Sequence, residues 1–338
     1  MRRRRLGRSG LVVSEIGLGT MTFGSMADEA ESLACLDRAF DAGVNFLDAA
    51  EVYPVPPDPQ TAGRTEEICG KWLAGRPRDA VIVATKVAGP TGGWFQGPVR
   101  SGNTGLDRHN IERAVEASLL RLGIDYIDLY QTHWPDAELP LEQTLEALDR
   151  LVEQGKVRAV GCSNESCYGL TRSLWLADRE GTVRYETIQN NFSLLNRRFE
   201  DELTHACRQE KVSLLAYSPL AGGVLTGKYQ GGAWPAGARF SRYKDHSPRT
   251  QSMTGRFVNP QTLAATARVH ELARGCGLHP VTFAVAWTLT RDFLGSTLIG
   301  VTHRDQLDVH LAAADARIPD DALQAVDRLA REIRYPMG

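Results

Sequence analysis

With 338 residues, the chain is long enough for one barrel domain of roughly 250 residues plus extra loops, or for two ordinary domains. Its 42% hydrophobic and 24% charged residues are the balance of a soluble globular enzyme. Thirty-nine basic against 41 acidic side chains leave a formal charge of −2, which excludes a global field for gathering nucleic acid or anionic membrane.

The chain opens on the basic run Arg2 to Arg5. A nucleic-acid or targeting patch is one reading of such a run. The following Leu6-Gly7-Arg8-Ser9-Gly10-Leu11, with turn chemistry at its centre, favours the solvated first strand of a hairpin. No apolar segment or small-residue cleavage site follows the arginines, so a signal peptide is not expected, and no apolar stretch is long enough to span a membrane. Next, short runs rich in Val, Ile, Leu and Tyr predict buried strands at residues 16–18, 45–47, 80–85, 126–130, 157–161, 185–188, 212–216 and 296–299. Amphipathic segments predict helices at 27–42, 110–122, 141–154, 166–178, 198–210, 261–274, 281–290 and 304–314. Asp107 reads as an N-cap, and Pro140 with Gly155 marks a helix start and stop. A last helix, 320–332, falls outside the repeat.

Eight strands alternating with helices, and no Pro/Gly/Ser linker, predict one α/β domain over residues 1–338: a (β/α)8 TIM barrel with an N-terminal β-hairpin and an extra C-terminal helix. A doubly wound sheet is disfavoured, because Gly17-Leu18-Gly19-Thr20 lacks the third glycine of a dinucleotide fingerprint. The Gly-rich stretches 87–106 and 221–259 then become loops at the barrel mouth. The six cysteines form no CxxC pair and no zinc-finger spacing with His, so they read as reduced thiols of a cytoplasmic protein.

Polar residues gather where the strands end: Asp48, Lys86, Gln131 to His133, Ser163 and Asn164, Gln189 and Asn190, Tyr217 and Ser218, Gly300 and Thr302. In a closed barrel these ends converge on one mouth, which is where barrel enzymes keep their chemistry. Asp48 and Lys86 stand on neighbouring strands, within reach of an ion pair, and Tyr53 folds back from the loop after Asp48. A lysine beside the tyrosine is expected to lower the phenol pKa from about 10 and make it a general acid. His133 supplies a donor for a substrate carbonyl. No activated Ser or Cys nucleophile and no metal-ligand spacing is apparent, so proton donation to a carbonyl, with hydride from a bound cofactor, fits best.

These segments carry a resemblance. Asp48-Ala49-Ala50-Glu51-Val52-Tyr53, Ala84-Thr85-Lys86 and Leu129-Tyr130-Gln131-Thr132-His133-Trp134-Pro135 resemble signature segments of the aldo-keto reductase superfamily. Leu6-Gly7-Arg8-Ser9-Gly10-Leu11, Gly161-Cys162-Ser163-Asn164 and Tyr217-Ser218-Pro219-Leu220 match as well, and the likeness runs in order over residues 6–314. It is strongest to the bacterial branch related to potassium-channel β subunits. The resemblance implies an NADPH-dependent reduction of an aldehyde or ketone by a tetrad of Asp48, Tyr53, Lys86 and His133. It implies that nicotinamide stacks on Tyr217, beside Ser218, with its carboxamide held by Ser163, Asn164 and Gln189. Leu220, Gly222, Leu225 and Gly227 are implied around the pyrophosphate with Lys228 nearby, and Arg239, Gly300, Thr302 and Gln306 at the adenosine end.

Two departures stand out. Ala49 replaces the threonine that many relatives carry after the Asp, and Val309-His310 replaces a Glu-Asn pair near the adenine, where His310 is expected to stack instead. Met21, Phe23, Trp94, Phe95, Trp134 and Phe192 are expected as an apolar substrate wall. A small carbonyl compound is the expected partner, with no nucleic acid and no membrane, and homo-oligomerisation stays open. A cofactor-sensing regulatory subunit is the alternative function.

Overall fold

The computed structural model describes residues 1–91 and 99–337. It begins with an antiparallel hairpin of β1 (Arg3–Arg5) and β2 (Val12–Ser14), in which Arg4 faces Val13 in register. Eight parallel strands follow: β3 (Ile16–Gly19), β4 (Phe46–Asp48), β5 (Ile82–Val87), β6 (Ile127–Thr132), β7 (Val157–Ser163), β8 (Tyr185–Asn191), β9 (Ser213–Tyr217) and β10 (Leu294–Ile299). They pair in chain order and close when β10 meets β3, giving the expected (β/α)8 barrel. Every expected strand falls on one of these eight.

The surrounding helices are α1 (Glu29–Asp41), α2 (Arg64–Leu73), α3 (Arg108–Leu122), α4 (Leu141–Glu153), α5 (Cys167–Glu180) and α6 (Leu203–Glu210). After β9 come α7 (Arg239–Tyr243), α8 (Pro248–Phe257), α9 (Pro260–Gly275) and α10 (Pro280–Leu289), then α11 (Leu307–Leu311) and α12 (Asp320–Glu332). Side-chain caps start several of them: Asp107 accepts from the Asn110 N–H, and Asn259 from those of Gln261 and Thr262. The expected helix 198–210 is interrupted, with a 3-10 turn at Arg198–Glu200 ahead of α6. Three helices lie where the sequence pattern predicts none. α2 contains Gly70, where a Cβ would sit 2.5 Å from the Arg121 carbonyl of α3. That glycine lets two helices approach closely. α7 and α8 interrupt the expected loop 221–259; α8 starts at Ser247, whose hydroxyl caps Thr250 ahead of Pro248.

Strand alternation decides what faces the barrel interior. Phe46, Ile82, Ala84, Leu129, Ala159, Leu215 and Leu298 form one buried cluster with Leu6, Leu11 and Val13 of the hairpin. The hairpin therefore plugs the end of the barrel where the strands begin. Counting two residues on from the plugged layer puts Asp48, Lys86, Gln131 and Tyr217 on the same inward face at the opposite end. The hairpin arginines are not merely solvated. Arg4 is largely buried and donates to the carbonyls of Leu289, Arg291 and Leu294, at and beyond the end of α10, at 2.6, 3.0 and 3.2 Å. No helix among the described residues is long and apolar enough to cross a membrane.

Candidate active site

Lys86 lies at the centre of the mouth, fully buried. Its Nζ donates to Asp48 Oδ2 at 2.5 Å and to the Ala49 carbonyl at 2.7 Å, and reaches the Tyr53 hydroxyl at 3.4 Å. The other oxygen of Asp48 accepts from Gln131 Nε2 at 3.0 Å and Gln189 Nε2 at 2.8 Å. Burial opposes the charge on Lys86, but Asp48 and Tyr53 together raise its pKa above the ordinary lysine value. His133 completes the group: its ring stands edge-on to Tyr53 with centroids 5.5 Å apart. Burial and the Lys86 cation hold His133 well below the usual histidine pKa, so the ring is neutral. Among the described residues its buried Nδ1 has no hydrogen-bond partner.

Tyr53 corrects the expectation of a lowered phenol pKa. Burial pushes the phenol up, Lys86 pulls it down, Asp48 pushes it up again, and the net direction is upward. Lys86 is largely neutralised by Asp48, so the phenol meets a near-neutral pair in a low-dielectric site.

Around this group the strand ends carry the other expected residues. Asn164 follows β7 with φ +56 and Ser218 follows β9 with φ +55, left-handed positions that non-glycine residues adopt rarely. Asn164 Nδ2 donates to the His133 carbonyl at 2.8 Å, and its Oδ1 accepts from the Tyr217 hydroxyl at 2.7 Å. Ser163 Oγ donates to the Gln189 carbonyl at 2.7 Å. The segment after β9 turns through Gly222 and Gly223 at φ +64 and +96; a Cβ on Gly223 would sit 2.9 Å from Lys228 Nζ. Burial and the Arg239 guanidinium depress the Lys228 pKa, placing these two cations near one another. Among the described residues neither is paired with a carboxylate. Leu220 and Leu225 are buried among apolar neighbours, and the Leu225 carbonyl meets His270 Nε2 at 2.9 Å. Beyond β10, the Thr302 N–H donates to Gln306 Oε1 at 3.0 Å, while Gly300 is exposed.

Several expectations change here. His310 is 5% exposed and its Nδ1 meets the Gln306 carbonyl at 2.6 Å, so it offers no open ring face for stacking. Phe23 and Phe192 are fully buried in the core between barrel and helices; Phe192 stacks on Trp287 with centroids 5.1 Å apart. Neither walls a substrate site. Met21 and Trp134 do lie against Tyr53, Ala50, Val52 and Ala88 at the mouth. Trp94 and Phe95 lie outside the described residues. Sequence reasoning assigned no role to Gln131, which orients Asp48, or to Glu51 and Arg100, a largely buried ion pair anchored on the loop that carries Tyr53.

The family model described as "Aldo/keto reductase family" matches residues 15–331. "Protein tas" of Escherichia coli is 42% identical over 99% of both chains. "Probable voltage-gated potassium channel subunit beta" of Oryza sativa is 34% identical over 97% of this chain and 95% of its own. "Versiconal hemiacetal acetate reductase" of Aspergillus parasiticus is 30% identical over 96% of this chain and 95% of its own. The inward cluster at the strand ends and this match across nearly the whole chain lead to one conclusion: the chain belongs to the aldo/keto reductase family and is an oxidoreductase.

Proposed function

We propose that the chain is an NADPH-dependent reductase of aldehydes or ketones in which Tyr53 donates the proton. The observation that carries this reading is the buried Lys86 ammonium, fixed by Asp48 and Ala49 and 3.4 Å from the Tyr53 hydroxyl. A carbonyl oxygen placed between Tyr53 and the neutral His133 ring meets two donors in a water-poor site. Tyr53 releases its proton to that oxygen, and Lys86 stabilises the phenolate left behind. Asp48 keeps Lys86 charged despite burial, and Gln131 and Gln189 hold Asp48 in place.

When bound, the nicotinamide supplies the hydride. Ser163, Asn164, Gln189, Tyr217 and Ser218 would hold its ring and carboxamide. The run 220–228 would hold the pyrophosphate, and Gly300, Thr302 and Gln306 the adenosine. Lys228 and Arg239 fit a phosphate-bearing cofactor, since two neighbouring cations, without carboxylate partners among the described residues, favour an anion between them. A non-catalytic regulatory subunit is the second reading, favoured by likeness to proteins named as channel subunits. The test is NADPH oxidation against a panel of aldehydes, ketones and quinones, with Tyr53→Phe alongside. Turnover with some panel member, reduced about a hundred- to ten-thousand-fold in Tyr53→Phe, is expected. Cofactor binding with no turnover on the whole panel favours the regulatory reading.

A further inference from the structure

Two residues before Tyr53, Glu51 is 1% exposed, and its carboxylate is gripped by the nearly buried guanidinium of Arg100. Arg100 Nη1 donates to Oε2 at 2.5 Å and Nη2 to Oε1 at 2.9 Å, a two-pronged contact. The same Oε1 accepts the Ala88 N–H at 2.6 Å, while the Glu51 N–H donates to the Lys86 carbonyl at 3.3 Å. Glu51 thus fastens the Tyr53 loop to the end of β5 on either side of Val87, next to Lys86. On its far side Arg100 Nε donates to Asn110 Oδ1 at 2.9 Å, and Asn110 Nδ2 donates to the α3 cap Asp107 at 2.6 Å.

The backbone at this junction is also unusual. Arg100 and Ser101 take φ +48 and +53, consecutive left-handed positions in residues other than glycine. Such positions persist where surrounding contacts over-determine them, and they concentrate at functional sites. A buried ion pair is a poor device for stability alone, because apolar residues of similar volume serve as well. Its particular value is directional: two parallel hydrogen bonds fix distance and angle together.

We propose that Glu51 and Arg100 form a positioning pair that holds the Tyr53 hydroxyl at its working distance from Lys86 and ties the segment entering α3 to it. The pair touches neither substrate nor reacting atoms, and the proposal rests on Tyr53 as the proton donor. Arg100→Lys keeps the charge and loses the two-pronged grip; Arg100→Met loses both.

The experiment measures kcat and KM for the best panel carbonyl, NADPH affinity by fluorescence titration, and Tm, in Arg100→Lys, Arg100→Met, Glu51→Gln, Tyr53→Phe and Tyr53→Phe/Arg100→Met. Misplacing a reacting group by an ångström costs about a hundredfold, so kcat is expected to fall about tenfold in Arg100→Lys and about a hundredfold in Arg100→Met. NADPH affinity is expected to stay within about twofold, because the cofactor contacts lie on other strand ends. The double variant is expected to be no slower than Tyr53→Phe alone, since a misplaced donor matters only while it donates. Three results overturn the pair's role while leaving Tyr53 as acid: wild-type kcat in Arg100→Lys and Arg100→Met, rate losses that multiply in the double variant, or cofactor affinity falling in step with kcat. Wild-type turnover in Tyr53→Phe removes the acid assignment itself, and the pair's role with it. Arg100→Lys keeps the test readable where Arg100→Met does not fold.

Discussion

At the Tyr53 hydroxyl, burial and the Asp48 carboxylate push the phenol pKa up while the Lys86 ammonium 3.4 Å away pulls it down. A phenol on the high side of its ordinary value stays protonated through neutral pH. In the proposed reduction Tyr53 must be protonated, so the rate is expected to fall on the basic side as Tyr53 ionises. Lys86→Met removes the main influence that lowers this pKa and leaves Asp48 without its cation, which raises it further. The basic limb of kcat against pH is therefore expected to move to higher pH. The maximal rate is expected to fall about a hundred- to ten-thousand-fold, because the phenolate formed in the step loses its cation. A residual rate with an unshifted basic limb would remove Lys86 from the tuning role. The four members of this cluster were legible in sequence because each stands at or just beyond a strand end, where barrel topology makes them neighbours. The sign of the Tyr53 shift was not, since it depends on how deeply the ring is buried and on Asp48 neutralising Lys86. Glu51 and Arg100 were hidden for another reason: 49 residues separate them, and neither carries a pattern that marks a partner.

At the scale of elements, the loops after β9 and β10 stand side by side because those strands pair. Arg239 opens α7, one of the helices the Gly- and Pro-rich sequence concealed, and stands close to Lys228. Losing one charged hydrogen bond costs about 1.5–3 kcal/mol, so Arg239→Ala is expected to weaken NADPH binding roughly ten- to a hundredfold and NADH far less. Equal losses for both cofactors in fluorescence titrations would mean that Arg239 shapes the loop instead. The loop after β10 is pinned from outside by α1. Glu31 accepts the Arg304 N–H at 2.6 Å and its guanidinium at 2.9 Å, which holds the Glu31 carboxyl at about 2. A folded-state pKa below the ordinary carboxylate value stabilises the fold above the unfolded pKa, and that contribution is lost as pH falls toward 2. Glu31→Gln is expected to lower Tm at pH 7 and to show a shrinking deficit as the buffer is taken toward pH 3. A deficit that stays constant with pH would place the effect in packing. Helices with caps and clean apolar faces were legible from sequence. α2 was not, because Gly70 answers to the neighbouring α3 and its own segment gives no sign of that approach.

Across the whole molecule the two ends of the barrel do different work. The mouth gathers polar and titratable side chains with strained strand-end residues, whereas the base is closed by an apolar plug of Leu6, Leu11 and Val13. Arg4 fastens that plug: one guanidinium satisfies three carbonyls at and beyond the end of α10 and also meets the fully buried Glu15 at 3.4 Å. Carbonyls at a helix C-terminus carry partial negative charge, so a cation there is favourable twice over, by hydrogen bonding and by the helix dipole. Arg4→Ala strands those carbonyls and leaves Glu15 to the exposed Arg2 alone. A loss of about 2–4 kcal/mol is expected, seen as a Tm lower by several degrees. The plug and the Lys86 cluster are separated by the inward apolar layer of the barrel, and residues without shared partners combine additively. Below the new melting point, kcat and KM for the best carbonyl substrate are therefore expected to match the parent chain. A fall in kcat without a fall in Tm would show that the base of the barrel transmits to the mouth, and that stability and chemistry are not divided between its ends.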